Sequence, residues 1–337
     1  MADSPTTASH TRPRVVSLLP SATEMLCLIG GRDMLVGRSH ECDFPADVQS
    51  LPALTSARVF DAAQAPHSID PAAIDQQVRE LTASSTPLYH LNESLLHSLR
   101  PDVILTQDLC GVCSIDLASV RRIAAQLSPA PTILSLDATT LDGVLDDILR
   151  VGEAVGLETP ARDAAVRLRE RIYRAMDFVN PFADGPVVGF LEWTDPLYVA
   201  GHWNVQLIER AGGRHPLNET TARDGDGAAS GPMVSLRRAG KSVRVPPEIF
   251  AATRPEFIVI APCGLTLSQA QAAAAQLAQQ PWWRDLPAVR RGQVAIVDGN
   301  QMFNRPGPRL ADAMEFLVGW LNQRPELIPT GFPWSRG

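Results

Sequence analysis

The chain lacks the positive charge that a polyanion would reward. It sets 30 lysines and arginines against 37 aspartates and glutamates, for a formal net charge of −7. Nucleic acid and anionic membrane surfaces both select basic patches, so neither is expected as the main partner. No stretch approaches the ~20 apolar residues of a membrane span. The first ten residues, Met1 to His10, are polar and lack the apolar core of a secretory signal. On that ground the chain is expected in the cytoplasm, where its five cysteines would be reduced and free for metal or redox work. There is no nucleophile elbow, phosphate-binding loop, dinucleotide fingerprint or zinc-protease motif, which argues against an enzyme. A second Cys-x-x-Cys is missing too, so a zinc ribbon is not indicated.

What is present suits two soluble α/β units. The length of 337 residues suggests two domains at a prior of about 150 residues each. A hydrophobic share of 45% supplies two cores. Residues 1–12 read as a disordered tail. Beyond them, β-type runs at Arg14–Leu19, Met34–Gly37, Val103–Thr106, Thr132–Leu136, Val187–Leu191, Leu197–Ala200, Phe257–Ala261 and Gln293–Asp298 alternate with helical stretches. Ser21 and Glu24 have capping-box spacing, and Asp70-Pro71 reads as an N-cap followed by proline at the first helical position. Pro308 is placed to open a last helix ending near Asn322. Leu141 to Phe178 reads as one mostly helical, amphipathic stretch, interrupted near Gly156–Pro160. As one helix it would span about 57 Å, long enough for a strut between lobes. The expected layout is an N-terminal lobe over 13–138, a connecting helix over 139–180 and a C-terminal lobe over 181–337.

The two flanks of that stretch resemble each other. Leu91 to Leu105 aligns with Val245 to Val259 at a constant offset, and both read as a short helix, an Arg-Pro-acid turn and a buried strand. Pro13 to Leu19 likewise resembles Gly185 to Leu191, and a later strand in each half ends in aspartate, Asp137 and Asp298. This predicts two similar α/β lobes.

Ligands of open parallel sheets bind outside the carboxyl ends of the strands. That rule selects loops carrying His40, Glu41, Cys42, Cys110, Cys113, Glu192, Trp193, His202, Trp203, Cys263, Phe303, Asn304 and Arg305. Cys42, Cys110, Cys113 and Cys263, with His40 and His202 nearby, are ligand types of zinc or an iron–sulfur cluster. They could equally be loop cysteines packed on a cleft wall, or a redox pair at Cys110 and Cys113. Trp193, Trp203 and Phe303 would give flat apolar walls to a planar ligand, or else pack between the lobes. Arg305 and Arg309 could bind a ligand's polar edge, or pair with acids of their own lobe. Cys27, in the apolar run Met25–Ile29, reads as a core residue.

Val15 to Glu24, Leu35 to Arg38 and Leu99 to Ile104 resemble the periplasmic siderophore, haem and cobalamin binding proteins of ABC importers. The resemblance runs over about residues 14–322. It implies two Rossmann-like lobes, a rigid connecting helix and a ligand cleft between the lobes. The segments around His40, Asp108, Glu192 and Asn304 are similar to a leaderless subgroup labelled cobalamin-binding. Such proteins dock a permease through one acidic residue on each lobe. Glu248 sits at the matching place, whereas its counterpart is Ser94, with Glu93 one residue off. That departure and the missing leader speak against a permease partner. The leading expectation is a non-catalytic cytoplasmic binder of a corrinoid or related metal chelate. The alternatives are a protein whose cysteines hold an iron–sulfur cluster or zinc, and a thiol-redox protein.

Overall fold

The computed structural model describes residues 12–58, 69–84, 86–108, 117–222 and 237–337. The first lobe contains β1 (Val15–Ser17), α1 (Pro20–Leu28), β2 (Leu35–Arg38), β3 (Thr55–Ala57), α2 (Pro71–Ala83), β4 (Tyr89–Leu91), α3 (Glu93–Leu99), β5 (Val103–Thr106), α4 (Leu117–Ala124) and β6 (Thr132–Ser135). Next come α5 (Leu141–Val155) and α6 (Glu158–Met176). The second lobe contains β7 (Val188–Thr194), β8 (Leu197–Val199), α7 (His202–Arg210), β9 (Val243–Arg244), α8 (Pro247–Ala252), β10 (Phe257–Ile260), α9 (Leu267–Leu277), α10 (Pro281–Arg284), α11 (Pro287–Arg290), β11 (Val294–Val297), α12 (Leu310–Leu321) and β12 (Trp334–Arg336).

The first sheet has the order β2-β1-β5-β6 and is parallel throughout. The second has the order β12-β11-β10-β7-β8-β9, with a parallel centre and antiparallel edges. All eight strands read from the sequence are present. The four short ones it missed pair antiparallel with a neighbour (β3 with β4, β9 with β8, β12 with β11), and two or three residues carry too little alternation to be seen.

The internal repeat is visible in hydrogen bonds. In the first lobe the Arg14 amide donates to the Asp102 carboxylate at 2.7 Å, and the Asp102 amide returns a bond to the Arg14 carbonyl at 2.8 Å. In the second, the Val187 amide donates to Glu256 at 3.2 Å, and the Glu256 amide returns to Val187 at 2.8 Å. The arginine of each Arg-Pro-acid turn takes a positive φ, 44° at Arg100 and 50° at Arg254. The two strand-ending aspartates also match. Asp137 accepts from the Asp108 amide at 2.5 Å, and Asp298 from the Leu267 amide at 3.1 Å. Each ties the loop after one central strand to the end of the next.

Two expectations are corrected. The stretch from Leu141 to Phe178 is not one kinked strut. Gly156 closes α5 at φ 73°, and α6 folds back along α5. The small faces of Gly152 and Ala161 meet near the turn, and Arg169 reaches Asp146 at 2.5 Å farther along. This hairpin joins residues of both sheets and α12 in one continuous apolar core. Ser21 does not cap α1 either. Leu19 is the N-cap, Pro20 fills the first helical position, and Glu24 points elsewhere.

Candidate functional site

The loops beyond the strand ends of the two lobes face each other. At one edge they are joined by a buried ionic lattice. Arg305 donates to Asp43 at 2.6 and 3.1 Å and to Glu24 at 3.1 Å, and also meets the Glu41 carbonyl at 3.3 Å. Arg309 reaches the same Glu24 at 2.5 and 2.9 Å, and its guanidinium lies over the Phe44 ring at 4.4 Å. Asn300 adds a bond to Asp43 at 3.1 Å. Glu24 is 2% exposed and Arg305 8%, by side chain. Burial disfavours the Arg305 cation, but the carboxylates of Asp43 and Glu24 outweigh that and hold it firmly charged. Both arginines therefore pair with acids of the opposite lobe and not with acids of their own lobe. Sequence reasoning noted Glu24 only as a helix cap and missed Asp43 as a partner. Acids and bases far apart in a chain give no local signal of pairing.

At another point α2 meets the second lobe. The Trp193 indole donates to the Pro71 carbonyl at 3.1 Å, and Gln276 donates to the Ile69 carbonyl at 2.9 Å. Ile69, Leu265 and Ala273 form a small apolar cluster there, with Trp193 packed on it. The Gln206 amide oxygen accepts from the Leu141 amide, at the start of α5, at 2.7 Å.

His40 follows the carboxyl end of β2 by two residues and is half-buried. Its Nδ1 lies 2.6 Å from Thr55 Oγ1, which also accepts from the His40 amide at 2.9 Å. The Thr55 hydroxyl donates its one proton to Ser39 Oγ at 3.1 Å. With that proton on Ser39, the Thr55 oxygen accepts from Nδ1–H, the tautomer that puts the imidazole lone pair on Nε2. A neighbour holding one ring nitrogen while the other stays open is how protein imidazoles are set for metal. Tyr89 packs against the ring with centroids 5.6 Å apart and donates to Glu41 at 3.3 Å.

Several expected ligand residues instead build the walls. Phe303, 1% exposed, lies in the aromatic core against Phe190 and Phe316. Trp203 is buried and donates to the Phe303 carbonyl at 2.7 Å. Asn304 ties the carbonyls of Ala261 and Gly299 at 2.9 Å each. This close approach of loops needs Gly299, where a Cβ would fall 2.0 Å from the Pro262 oxygen. Glu192 accepts from Gly201, Asn204 and Ser242. Desolvation pushes its carboxyl up, against the pull of those donors. These residues were picked for their position after strands, and the position holds. Their side chains turn inward because the strand-end loops pack on each other. His202 is half-buried with φ 50°, and its Nδ1 is enclosed without a partner among the described residues. Desolvation, then the nearby Lys241, pushes its pKa down.

The cysteine cluster is not assembled among the described residues. Cys42 is 1% exposed in the core and accepts from Thr23 at 3.1 Å; burial pushes its thiol up to about 12. Apolar burial of this kind keeps a thiol protonated and unreactive. Cys263 is exposed. Cys110 and Cys113 lie outside the described residues. Among the described residues no group of three or more His, Cys, Asp or Glu could hold a metal ion. The iron–sulfur and zinc readings thus lack support here. Cys27 is half-buried against the core, and burial pushes it up to about 11. No described helix is long and apolar enough to cross a membrane.

Comparison with known proteins agrees with this architecture. The family model described as periplasmic binding protein matches residues 15–300. A vitamin B12-binding protein of Vibrio cholerae is 22% identical over 312 residues, covering 91% of this chain and 88% of the relative. A periplasmic haem binding protein of Pseudomonas aeruginosa superposes with a TM-score of 0.66 at 20% identity, covering 93% of this chain and 94% of that one. The periplasmic vitamin B12 binding protein of Vibrio cholerae gives 0.61 at 19% identity, covering 94% and 98%. These matches overturn the expected cytoplasmic location, which rested on the polar first residues alone. They also remove a cytoplasmic location as a ground against a permease partner. With most of its length matched by the family model, this chain belongs to the periplasmic binding protein family.

Proposed function

We propose that the chain is a periplasmic carrier of a planar metal chelate, a corrinoid or a haem-like tetrapyrrole, held between the lobes. We further propose His40 Nε2 as the axial ligand to the chelated metal. The observation that carries this reading is the relay from His40 Nδ1 through Thr55 to Ser39, which leaves Nε2 as the lone-pair nitrogen with no hydrogen-bond partner among the described residues. Placement supports it. Glu41 and Asp43, one and three residues on, are both bonded by Arg305 of the other lobe. The names of the relatives, vitamin B12-binding and haem-binding, point to the same class of ligand.

The residues around it would then divide the work. Thr55 and Ser39 orient the imidazole and keep its proton on Nδ1. Glu41 and Tyr89 fix the neighbouring wall. The ionic lattice sets the spacing of the lobes. Delivery to an importer permease fits the exposed acids Glu93 and Glu248, each in the first turn of corresponding helices, α3 and α8.

The test is to titrate the protein with aquocobalamin and with haemin, reading heat and the visible spectrum. The expected result is saturable heat with at least one of them, and a shift of the visible bands as imidazole replaces an axial ligand. His40→Ala should keep most of the heat and lose the band shift. Absence of both signals with both chelates would overturn the proposal, and an unchanged band shift in His40→Ala would remove the axial assignment.

A further inference from the structure

We infer that the outer face of α6 is a dimer interface, and that its partner is a second copy of this chain docked antiparallel. The helix turns Ala161, Ala164, Leu168, Ile172 and Ala175 into the core and leaves its opposite side to solvent. Val166 and Tyr173 stand on that side about two turns apart, both exposed. Phe178 and Phe182 follow the helix and are also exposed, Phe182 by 95%. These four are half of the eight large apolar side chains exposed among the described residues, gathered in one short stretch. Such a concentration marks an interaction surface, whereas scattered apolar exposure does not. An open groove of about 370 Å³ runs along the same side, lined by Val166, Arg169, Glu170, Tyr173, Arg174 and Asp177.

The order of side chains along this face identifies the occupant. Arg162, Val166, Arg169, Glu170, Tyr173 and Asp177 fall within about 100° of arc on the helix. Their spacings, 4, 3, 1, 3 and 4 residues, read the same from either end. Reversed, the series is its own complement. The cation at one end answers the anion at the other, apolar answers apolar, and the central pair is a cation beside an anion. A two-fold axis between Arg169 and Glu170 sets Arg162 of one copy against Asp177 of the other, Val166 against Tyr173, and Arg169 against Glu170. Each contact then occurs twice, as an isologous interface requires. A parallel copy would lay Arg162 on Arg162 and Asp177 on Asp177, and a foreign partner would need no such reversal.

The central pair is free to form. Glu170 is held loosely by Arg174 at 4.0 Å. Arg169 holds Asp146 at 2.5 Å, and its guanidinium has further N–H groups for a second carboxylate. Phe178 and Phe182 of each copy would come alongside the first turn of α6 in the other and extend the apolar contact. One helix pair is a small interface, in the class below about 1,200 Å² that associates weakly. None of its residues belongs to the strand-end loops, so this surface stands independently of the ligand proposed for the cleft.

Sedimentation equilibrium of the full chain from about 1 μM to about 1 mM, the range of weak association, tests this. A reversible monomer–dimer equilibrium is expected. Val166→Glu should weaken the dimer by at least about tenfold, because an apolar contact is lost twice. The melting temperature of the dilute monomer should stay unchanged, since Val166 is exposed. Arg162→Glu and Asp177→Arg should each weaken the dimer about threefold to tenfold, as two rim pairs turn repulsive. The double variant should restore it, which a dimer formed through any other surface would not show. A chain that stays monomeric to about 1 mM, assembly beyond two copies, or a dimer indifferent to these substitutions would overturn the inference.

Discussion

The two lobes repeat one scaffold and differ in what they hang on it. Each closes its Arg-Pro-acid turn with a carboxylate on a backbone amide, and each ties two strand ends together with an aspartate. The first lobe adds to this frame a pinned histidine and two interlobe carboxylates, Glu24 and Asp43. The second adds the arginines that meet them, antiparallel edge strands and an aromatic core in which Phe316 stacks on Phe332 at 4.4 Å. Repetition therefore lies in the parts that hold strands in register, and divergence lies in the loops that face the other lobe. A cleft between two copies of one scaffold becomes asymmetric because anions come from one copy and cations from the other.

The largest expected effect comes from breaking that charge asymmetry. Arg305→Met removes the cation shared by Asp43 and Glu24. Among the described residues, Glu24, 2% exposed, then keeps only Arg309, and Asp43 only Asn300. Removing one partner of a buried ion pair costs about 3–5 kcal/mol, and the surviving partners place this case near about 3. Urea denaturation measures it. A loss below about 1 kcal/mol would mean that the lobes are spaced by their shared apolar core and not by the lattice.

Much of this frame was legible in the sequence. The strand runs, Asp70 as an N-cap, the repeat and the strand-ending aspartates all follow from local pattern, and local pattern is what fixes them physically. Asp70 accepts from the Ala73 amide at 3.1 Å as its spacing implies. The site was legible only as a set of loops. His40 was found because it follows a strand. Its tautomer depends on Thr55 in an antiparallel ribbon too short to read. Phe303, Trp203 and Asn304 were assigned to the ligand because aromatic and amide side chains suit one, but they serve loop packing that only the tertiary structure reveals. Glu24 misled because capping-box spacing is local, whereas its arginines are far along the chain. The α5–α6 hairpin was missed because a glycine followed by helix-compatible residues can kink a helix or reverse it, and packing decides which.

The aspartate device offers a sharper test of equivalence. Asp298 is 5% exposed and accepts from the amides of Leu267 and Gln301, whereas Asp137 is exposed and accepts from the Asp108 amide and the Ser135 hydroxyl. Water can replace the bonds lost at Asp137 but not readily those at Asp298. Asp298→Ala should cost about 2 kcal/mol and Asp137→Ala about 1 or less. Equal costs would show that burial does not distinguish the two copies.

The smallest expected effect is a pH dependence carried by the second lobe. His215 is 1% exposed, with Nδ1 2.9 Å from the Val188 carbonyl and Nε2 without a partner among the described residues. Desolvation pushes its pKa down, against the Val188 carbonyl, which favours the protonated form. Above the unfolded value of about 6.5 the ring is neutral in both states and contributes no slope. Below it the unfolded chain takes up a proton that the native ring refuses, so stability falls by at most about 1.4 kcal/mol per pH unit until the native pKa is passed. Glu192 and Asp298, pushed up by burial, act with the opposite sign, gaining stability as the pH falls toward the carboxylate range. His215→Asn isolates the histidine, because the asparagine amide can still donate to Val188 but cannot titrate. Urea midpoints measured between pH 7 and pH 5 should converge on the variant's side, with the native protein losing stability faster on acidification. Parallel curves would mean that the buried ring takes up its proton as readily folded as unfolded, and the second lobe would then carry no acid-sensitive element at this position.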